Sequence, residues 1–342
     1  MPKTSSEPVV PADNGWVRHT LNGPTMGTRW SATLDAAAPS LDTAPLHAAL
    51  AAAVQEVDGQ MSPWKPDSDL SRLNRAAPGI WVDLPAAILA VLEHALHVSR
   101  ASRGAFDPAV GALVDAWGFG AVRNAPDTAA IRAATQTGTR PAHTSLELDL
   151  PAGRVRKHAP MQLDLCGSAK GYAVDRMVAV LQSHGIEHAL AALDGELRAL
   201  GPQGTGESWA VALESPQTTR RAAHGVIELA DLAVATSGDY RHWLQLGEAR
   251  IAHSMDGRSN APVRNDVACV TVLAKDCISA DAWATALLVA GPGEGLALAQ
   301  QMGLEALWLL RRGDALVELG LGRFAGVHGM GARPASPPPS RA

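Results

Sequence analysis

Cysteine is scarce. Cys166, Cys269 and Cys277 are the three in 342 residues, an odd number with no short spacing. This excludes a disulfide framework and a structural zinc site as organising devices. No run of about 18 apolar residues occurs, so no membrane span is expected. The N-terminus, MPKTSSEPVVPADNG, lacks an apolar h-region and a cleavage signature, which makes the cytoplasm the expected location. A basic excess is missing as well: 29 Lys and Arg face 34 Asp and Glu, for a formal net charge of -5. Nucleic acid is therefore not an expected partner. Any anionic ligand would need a metal to offset its charge.

What the chain does have is apolar content. At 46% hydrophobic residues it can bury a large core, as one large domain or two intimate ones. Residues 1–14 are polar and Pro-rich, and 329–342 read GMGARPASPPPSRA. Both are expected to be disordered arms flanking a folded domain over 15–328. Helical spacing of apolar residues predicts helices over Pro45–Gln60, Leu84–Ser102, Thr128–Thr135 and Lys170–His184, the last closed by Gly185. Two more are expected over Ser279–Val289 and Glu294–Met302, with Gly303 ending the second.

Short alternating segments predict strands at Arg29–Leu34, Leu146–Leu150, Val155–Lys157, Gln162–Leu165, Ala189–Leu193 and Trp209–Leu213. Others are expected at Gly225–Leu229, Ala233–Thr236, Ala268–Leu273, Ala306–Leu310 and Ala315–Leu319. Strands do not alternate strictly with helices and hairpin-like pairs recur. The fold class is therefore α+β, with mixed, largely antiparallel sheets and packed helices. No internal repeat is visible.

Several familiar patterns fail on inspection. GPQGTGES at Gly201–Ser208 has P-loop spacing, but Glu207 stands where a lysine must hold phosphate, so a turn is expected. GPGEG at Gly291–Gly295 follows no strand and reads as a helix-to-helix turn. No GxSxG elbow occurs. His94 and His97 are three apart on a helix with no third ligand apparent nearby, which suits a surface pair better than a metal site.

Five other segments carry chemistry when taken together. Thr25-Met26-Gly27-Thr28 enters a strand through a glycine turn. Met61–Asn74, MSPWKPDSDLSRLN, combines a helix N-cap (Asp67 or Ser68) with Trp64, an aromatic able to stack on a planar ligand. Gly104–Gly120, GAFDPAVGALVDAWGFG, is a constrained Gly/Pro loop around Asp107, where a carboxylate could also be a simple turn stabiliser. Leu163–Asp175, LDLCGSAKGYAVD, runs from a strand through a Gly-containing turn into a helix. Its backbone N–H groups and Lys170 suit phosphate, although a plain strand-to-helix connection has the same pattern. His253 opens HSMDGRSNAP, and farther on Asp281 and Thr285 are four apart on one helix face. One carboxylate, one hydroxyl and a backbone carbonyl make a hard-oxygen site of the kind magnesium accepts, with helix capping as the plainer alternative.

In this order, from about Thr25 to Gly291, these segments closely resemble the ApbE family, the FAD:protein FMN transferases. The resemblance implies an ApbE-like domain over 15–328. It also implies that Met26, Trp64, Ala105, Phe106 and Asp107 contact FAD, together with Asp164, Lys170 and Met255. The Gly167 carbonyl, Asp281 and Thr285 would hold Mg2+, and His253 would act as catalytic base. There are departures. Cys166 replaces the first of two glycines, and the Asn-x-Gly-Gly-Asp segment reads Ala192-Leu193-Asp194-Gly195-Glu196. The His-Ile-Ile-Asp-Pro-x-Thr-Gly segment reads His253 to Asn260 with only its histidine and aspartate kept.

The implied reaction moves FMN from FAD to a Ser/Thr hydroxyl of a protein through a phosphodiester, releasing AMP. The family's acceptor motif, with its Ser/Thr-Gly-Ala-Thr ending, does not occur in this chain, so a separate acceptor protein is expected. Two alternatives remain: an FAD pyrophosphatase that uses water, and a non-catalytic flavin-binding maturation protein.

Overall fold

The computed structural model describes residues 15–37, 41–122, 124–137, 140–216, 222–240, 242–246, 249–313 and 315–325. Both expected arms, 1–14 and 329–342, lie outside the described residues. The framework is an eight-stranded antiparallel sheet whose strands lie in chain order. They are Val17–Thr25, Thr28–Ala36, Ala189–Leu193, Glu196–Leu200, Ala233–Gly238, Val267–Ala274, Glu305–Arg312 and Ala315–Leu321. The α+β reading holds.

Two tight turns set the geometry of one end of this sheet. Met26 and Gly27 both take positive φ (46° and 70°), as a two-residue hairpin turn matched to strand twist requires. Asp194, at φ 58°, makes the corresponding turn between Leu193 and Glu196. Register Trp30↔Leu193 brings both turns to the same end. Register Leu197↔Val234 sends the tip of the next strand, Ser237 and Gly238, out beside them.

Helices cover one face. Thr43–Met61 starts at Asp42, whose carboxylate accepts from Ala44 N, and buries Leu46, Leu50, Val54, Val57 and Met61. These follow helical spacing and form an apolar stripe. Ala169–Ser183 packs between this helix and Cys277–Met302, which lies on the central strands. That last helix breaks at Gly291 (φ 74°, ψ 178°), just before Pro292, and stops at left-handed Gly303. The GPGEG segment is thus the junction between two helical pieces. Cys277–Met302 is long and apolar enough to cross a membrane by length and composition, yet 61% of its most apolar window is buried inside the fold.

The expected strand Gln162–Leu165 is not one. Among the described residues a single bridge, Val110↔Gln162, is its only sheet-like pairing. Its neighbouring polar groups go to the Asn74 side chain and the Pro108 carbonyl. Conversely, Val17–Thr25 and Glu196–Leu200 are strands that the alternation did not flag. Both carry charge or glycine, and their partners in the sheet decide the matter.

Candidate active site

A cavity of ≈ 910 Å³ opens at the end of the sheet where the two turns meet. The Met26-Gly27 turn forms one edge and Asp194–Leu197 another. Trp64 and the Ala105-Phe106-Asp107 loop close a third side. Asp164, Gly167 and Lys170 enter at the start of the Ala169–Ser183 helix. Asp281 and Thr285 come from the Cys277–Met302 helix, and His253 and Met255 from the connection between two central strands, in which Met255–Asp256 pairs with Ala261–Pro262.

The floor is polar and buried. Asp281, 3% exposed, accepts a hydrogen bond from Gly171 N (3.0 Å). Burial pushes its carboxyl up to about 6, against the pull of Lys170 and the Gly171 N–H. Lys170 Nζ lies 2.9 Å from Glu196 Oε1 and 3.4 Å from Asp194 Oδ2. Burial opposes its charge, but the carboxylates of Glu196, Asp281 and Asp194 outweigh that, so its pKa is raised. Glu196 is buried too and rises to about 8, chiefly through loss of water.

Thr285 Oγ1 pairs with Ser237 Oγ at 2.9 Å, four residues beyond Asp281 and on the same helix face. Gly167 sits hard against this helix: a methyl there would come within 3.1 Å of Phe106 Cε2 and 3.2 Å of Thr285 Oγ1. A side chain at this position would require Phe106 or Thr285 to shift by a few tenths of an ångström.

His253 is half-buried, and its Nδ1 lies 3.0 Å from the His242 carbonyl. A carbonyl only accepts, so Nδ1 carries the hydrogen and the neutral ring keeps a lone pair on Nε2. Burial, with His242 nearby, lowers the pKa of this histidine. Its ring sits edge-on to His242 and Phe119, at 5.7 and 6.2 Å. Asp256 does not orient it. That carboxylate accepts from Arg258 N and Nε, and Arg258 reaches on to Glu294. Asp107, on the loop side, accepts from Ala109 N and Ala142 N, and burial raises its pKa to about 6.

The family model for the ApbE family matches residues 26–308. The chain belongs to the ApbE family. The FAD:protein FMN transferase of Vibrio cholerae serotype O1 is 34% identical over 306 residues, covering 89% of this chain and 91% of that protein. The solved flavin transferase ApbE from Vibrio cholerae aligns at TM-score 0.79 with 31% identity, over 89% of this chain and 97% of that one. The Pseudomonas stutzeri flavinyl transferase ApbE, in its apo form, also aligns at TM-score 0.79 with 31% identity, over 89% and 95%.

Every residue that the ApbE resemblance singled out lines this one cavity. Sequence reasoning did not find Ser237 or His242. Ser237 ends a strand before a glycine, a pattern that could have marked it. His242 acts through its backbone carbonyl, which no side-chain pattern reports.

Proposed function

We propose that this chain transfers the FMN half of FAD to a Ser/Thr hydroxyl of a separate acceptor protein, in a magnesium-dependent reaction that releases AMP. The observation that carries this reading is the convergence of Lys170, Asp281, Thr285 and His253 on one cavity of a size suited to such a ligand. In the balanced reaction, the acceptor oxygen bonds to the FMN phosphorus and the phosphoanhydride bond to AMP breaks. The hydroxyl proton goes to the base.

The residues fit a magnesium site. Seven acidic side chains line the cavity (Asp58, Asp107, Asp164, Asp194, Glu196, Glu214 and Asp281) against two lysines, Lys65 and Lys170. A diphosphate would be repelled there without a cation. Among the described residues no three His, Cys, Asp or Glu side chains form a metal cluster. Asp281 and Thr285 with the Gly167 carbonyl would therefore supply few hard-oxygen ligands, which suits an ion that keeps water and phosphate in its shell. Bound magnesium would neutralise the diphosphate and stabilise the leaving AMP.

The chain's own groups do the rest. Lys170 stands at a helix N-terminus and presents its charge to phosphate. Trp64, 58% exposed, offers a face to a planar ring. The neutral His253 ring can take the hydroxyl proton at Nε2. Retention of Asp281, Thr285 and His253 together in the cavity argues against a non-catalytic flavin carrier. The pyrophosphatase alternative uses the same groups with water as acceptor. Measuring AMP release from FAD separates the two: the transferase reading predicts release that needs both magnesium and an acceptor protein. Rapid release without an acceptor would favour hydrolysis.

A further inference from the structure

The extended segment before the Ala169–Ser183 helix presents Asp164 and Gly167 to the cavity. It lacks a ladder of strand partners, and other groups hold it. The Asn74 side chain, 89 residues away in sequence, forms a two-point clamp on Leu163. Its Oδ1 accepts from Leu163 N at 2.8 Å, and its Nδ2 donates to Leu163 O at 2.9 Å. A backbone N–H can only donate and a carbonyl can only accept, so this amide has one possible orientation. It imitates a strand partner for one residue.

A second anchor backs the first. Lys157 is buried, and its Nζ donates to the main-chain oxygens of Asn74 (2.8 Å) and Met161 (3.3 Å). One cation thus ties the end of the Asp69–Arg75 helix to the start of the segment. Burial lowers its pKa. On the far side, Asp164 N donates to Pro108 O at 2.8 Å, which links the segment to the Asp107 loop. Asp164 Oδ1 then accepts from Cys166 N at 2.7 Å and starts the turn that delivers Gly167.

We propose that Asn74 is a positioning residue for flavin transfer: its side-chain amide sets the Leu163 backbone, and through it the placement of Asp164 and Gly167 on the cavity wall. Lys157 anchors the same segment from the other side. The residue touches no substrate and acts through the segment it holds. This rests on the reading of the cavity as an FAD site.

The test uses the full chain and direct FAD binding, followed by flavin fluorescence with magnesium present, together with KM and kcat for FAD. Asn74→Asp keeps the shape and the acceptor for Leu163 N but loses the donor to Leu163 O. Asn74→Ala loses both. The expected result is a loss of FAD affinity in both variants, severalfold or more, because Asn74→Ala leaves both Leu163 groups unpaired and Asn74→Asp sets a carboxylate oxygen against the Leu163 carbonyl. KM for FAD should rise accordingly, while KM for the acceptor stays put. Amide exchange at Leu163 should quicken in Asn74→Ala, which removes the acceptor of that N–H. If Asn74→Ala does not fold, Asn74→Asp carries the test alone. Unchanged FAD affinity with only a lower melting temperature would overturn the proposal and leave Asn74 a structural residue. Failure of the unsubstituted protein to bind FAD would instead overturn the reading of the cavity, and the proposal with it.

Discussion

The cavity has two unlike walls. The first is built from the Ala169–Ser183 and Cys277–Met302 helices and the end of the sheet. Its ionisable groups, the buried Asp281 and Glu196 and the half-buried Lys170, are crowded, and Gly171 N or a neighbouring charge holds each one. The second is built from loops. It carries Trp64, largely exposed, and His253, half-buried and steadied by a main-chain carbonyl. A wall of packed elements can keep carboxylates out of water and so keep them ready for a cation. A wall of loops can admit a flavin ring and an incoming protein hydroxyl. On the proposed reading, the division would separate phosphate chemistry from acceptor access.

The sharpest way to break this comparison is on the first wall. Asp281→Asn should lower transfer by roughly a thousandfold or more, since a metal ligand supplies several kcal/mol of charge stabilisation. Yet the fold should gain stability. The Asp281 carboxyl sits at about 6 in the folded protein against an ordinary 3.8. A raised folded pKa means a contribution fully present below 3.8 and lost as pH rises through about 6. At pH values above that window, and without magnesium, Asp281→Asn should melt higher than the unsubstituted protein. A lower melting temperature combined with retained activity would contradict the assignment.

The loop wall answers differently. His253→Ala should cut transfer by roughly 10²- to 10⁴-fold, the usual range for a lost general base. FAD and magnesium binding should survive, because the first wall is untouched. Equal transfer by this variant would remove the histidine from the chemistry.

How much of this could be read from the chain differs between the walls as well. Asp281 and Thr285, four apart on a strongly apolar helix, announced a shared face, and Ser68 announced the cap that it makes to Ser71 N. Lys170 in the first turn of a helix was legible for the same reason: helical periodicity and capping are local. Asp256, three residues from His253, is no guide to what holds that ring, because proximity in sequence does not fix a side chain's partner and Arg258 donates to that carboxylate instead. The Gln162–Leu165 segment looked like a strand because it alternates, but alternation reports two faces and not the presence of a neighbour. Asn74, Ser237 and the His242 carbonyl were invisible for that reason: their contacts join distant parts of the chain.

Smaller effects sharpen the contrast. Asp107 belongs to the loop side but is buried like the floor, with its carboxyl raised to about 6 from 3.8. Its contribution to stability should be present at acid pH and lost as pH rises through that window. Asp107→Asn should therefore flatten the stability profile between these values, by on the order of 3 kcal/mol in chemical denaturation. A profile that keeps its slope would show that Asp107 titrates normally. The smallest effect is expected at Trp64. Stacking on a ring is worth roughly 1 kcal/mol, so Trp64→Ala should weaken FAD binding by about tenfold or less. An unchanged dissociation constant would make Trp64 a bystander at the cavity mouth.

The most direct measurement of the central claim is the intact mass of an acceptor. The full chain is incubated with FAD, magnesium and a protein domain carrying a Ser/Thr-Gly-Ala-Thr ending. The account predicts that the acceptor gains the mass of one FMN less one water, with one AMP released per modified chain. The gain should vanish on chelation of magnesium and on replacement of the acceptor Ser/Thr by Ala. An acceptor of unchanged mass, with AMP and free FMN accumulating at full rate, would contradict the account and make the protein a hydrolase.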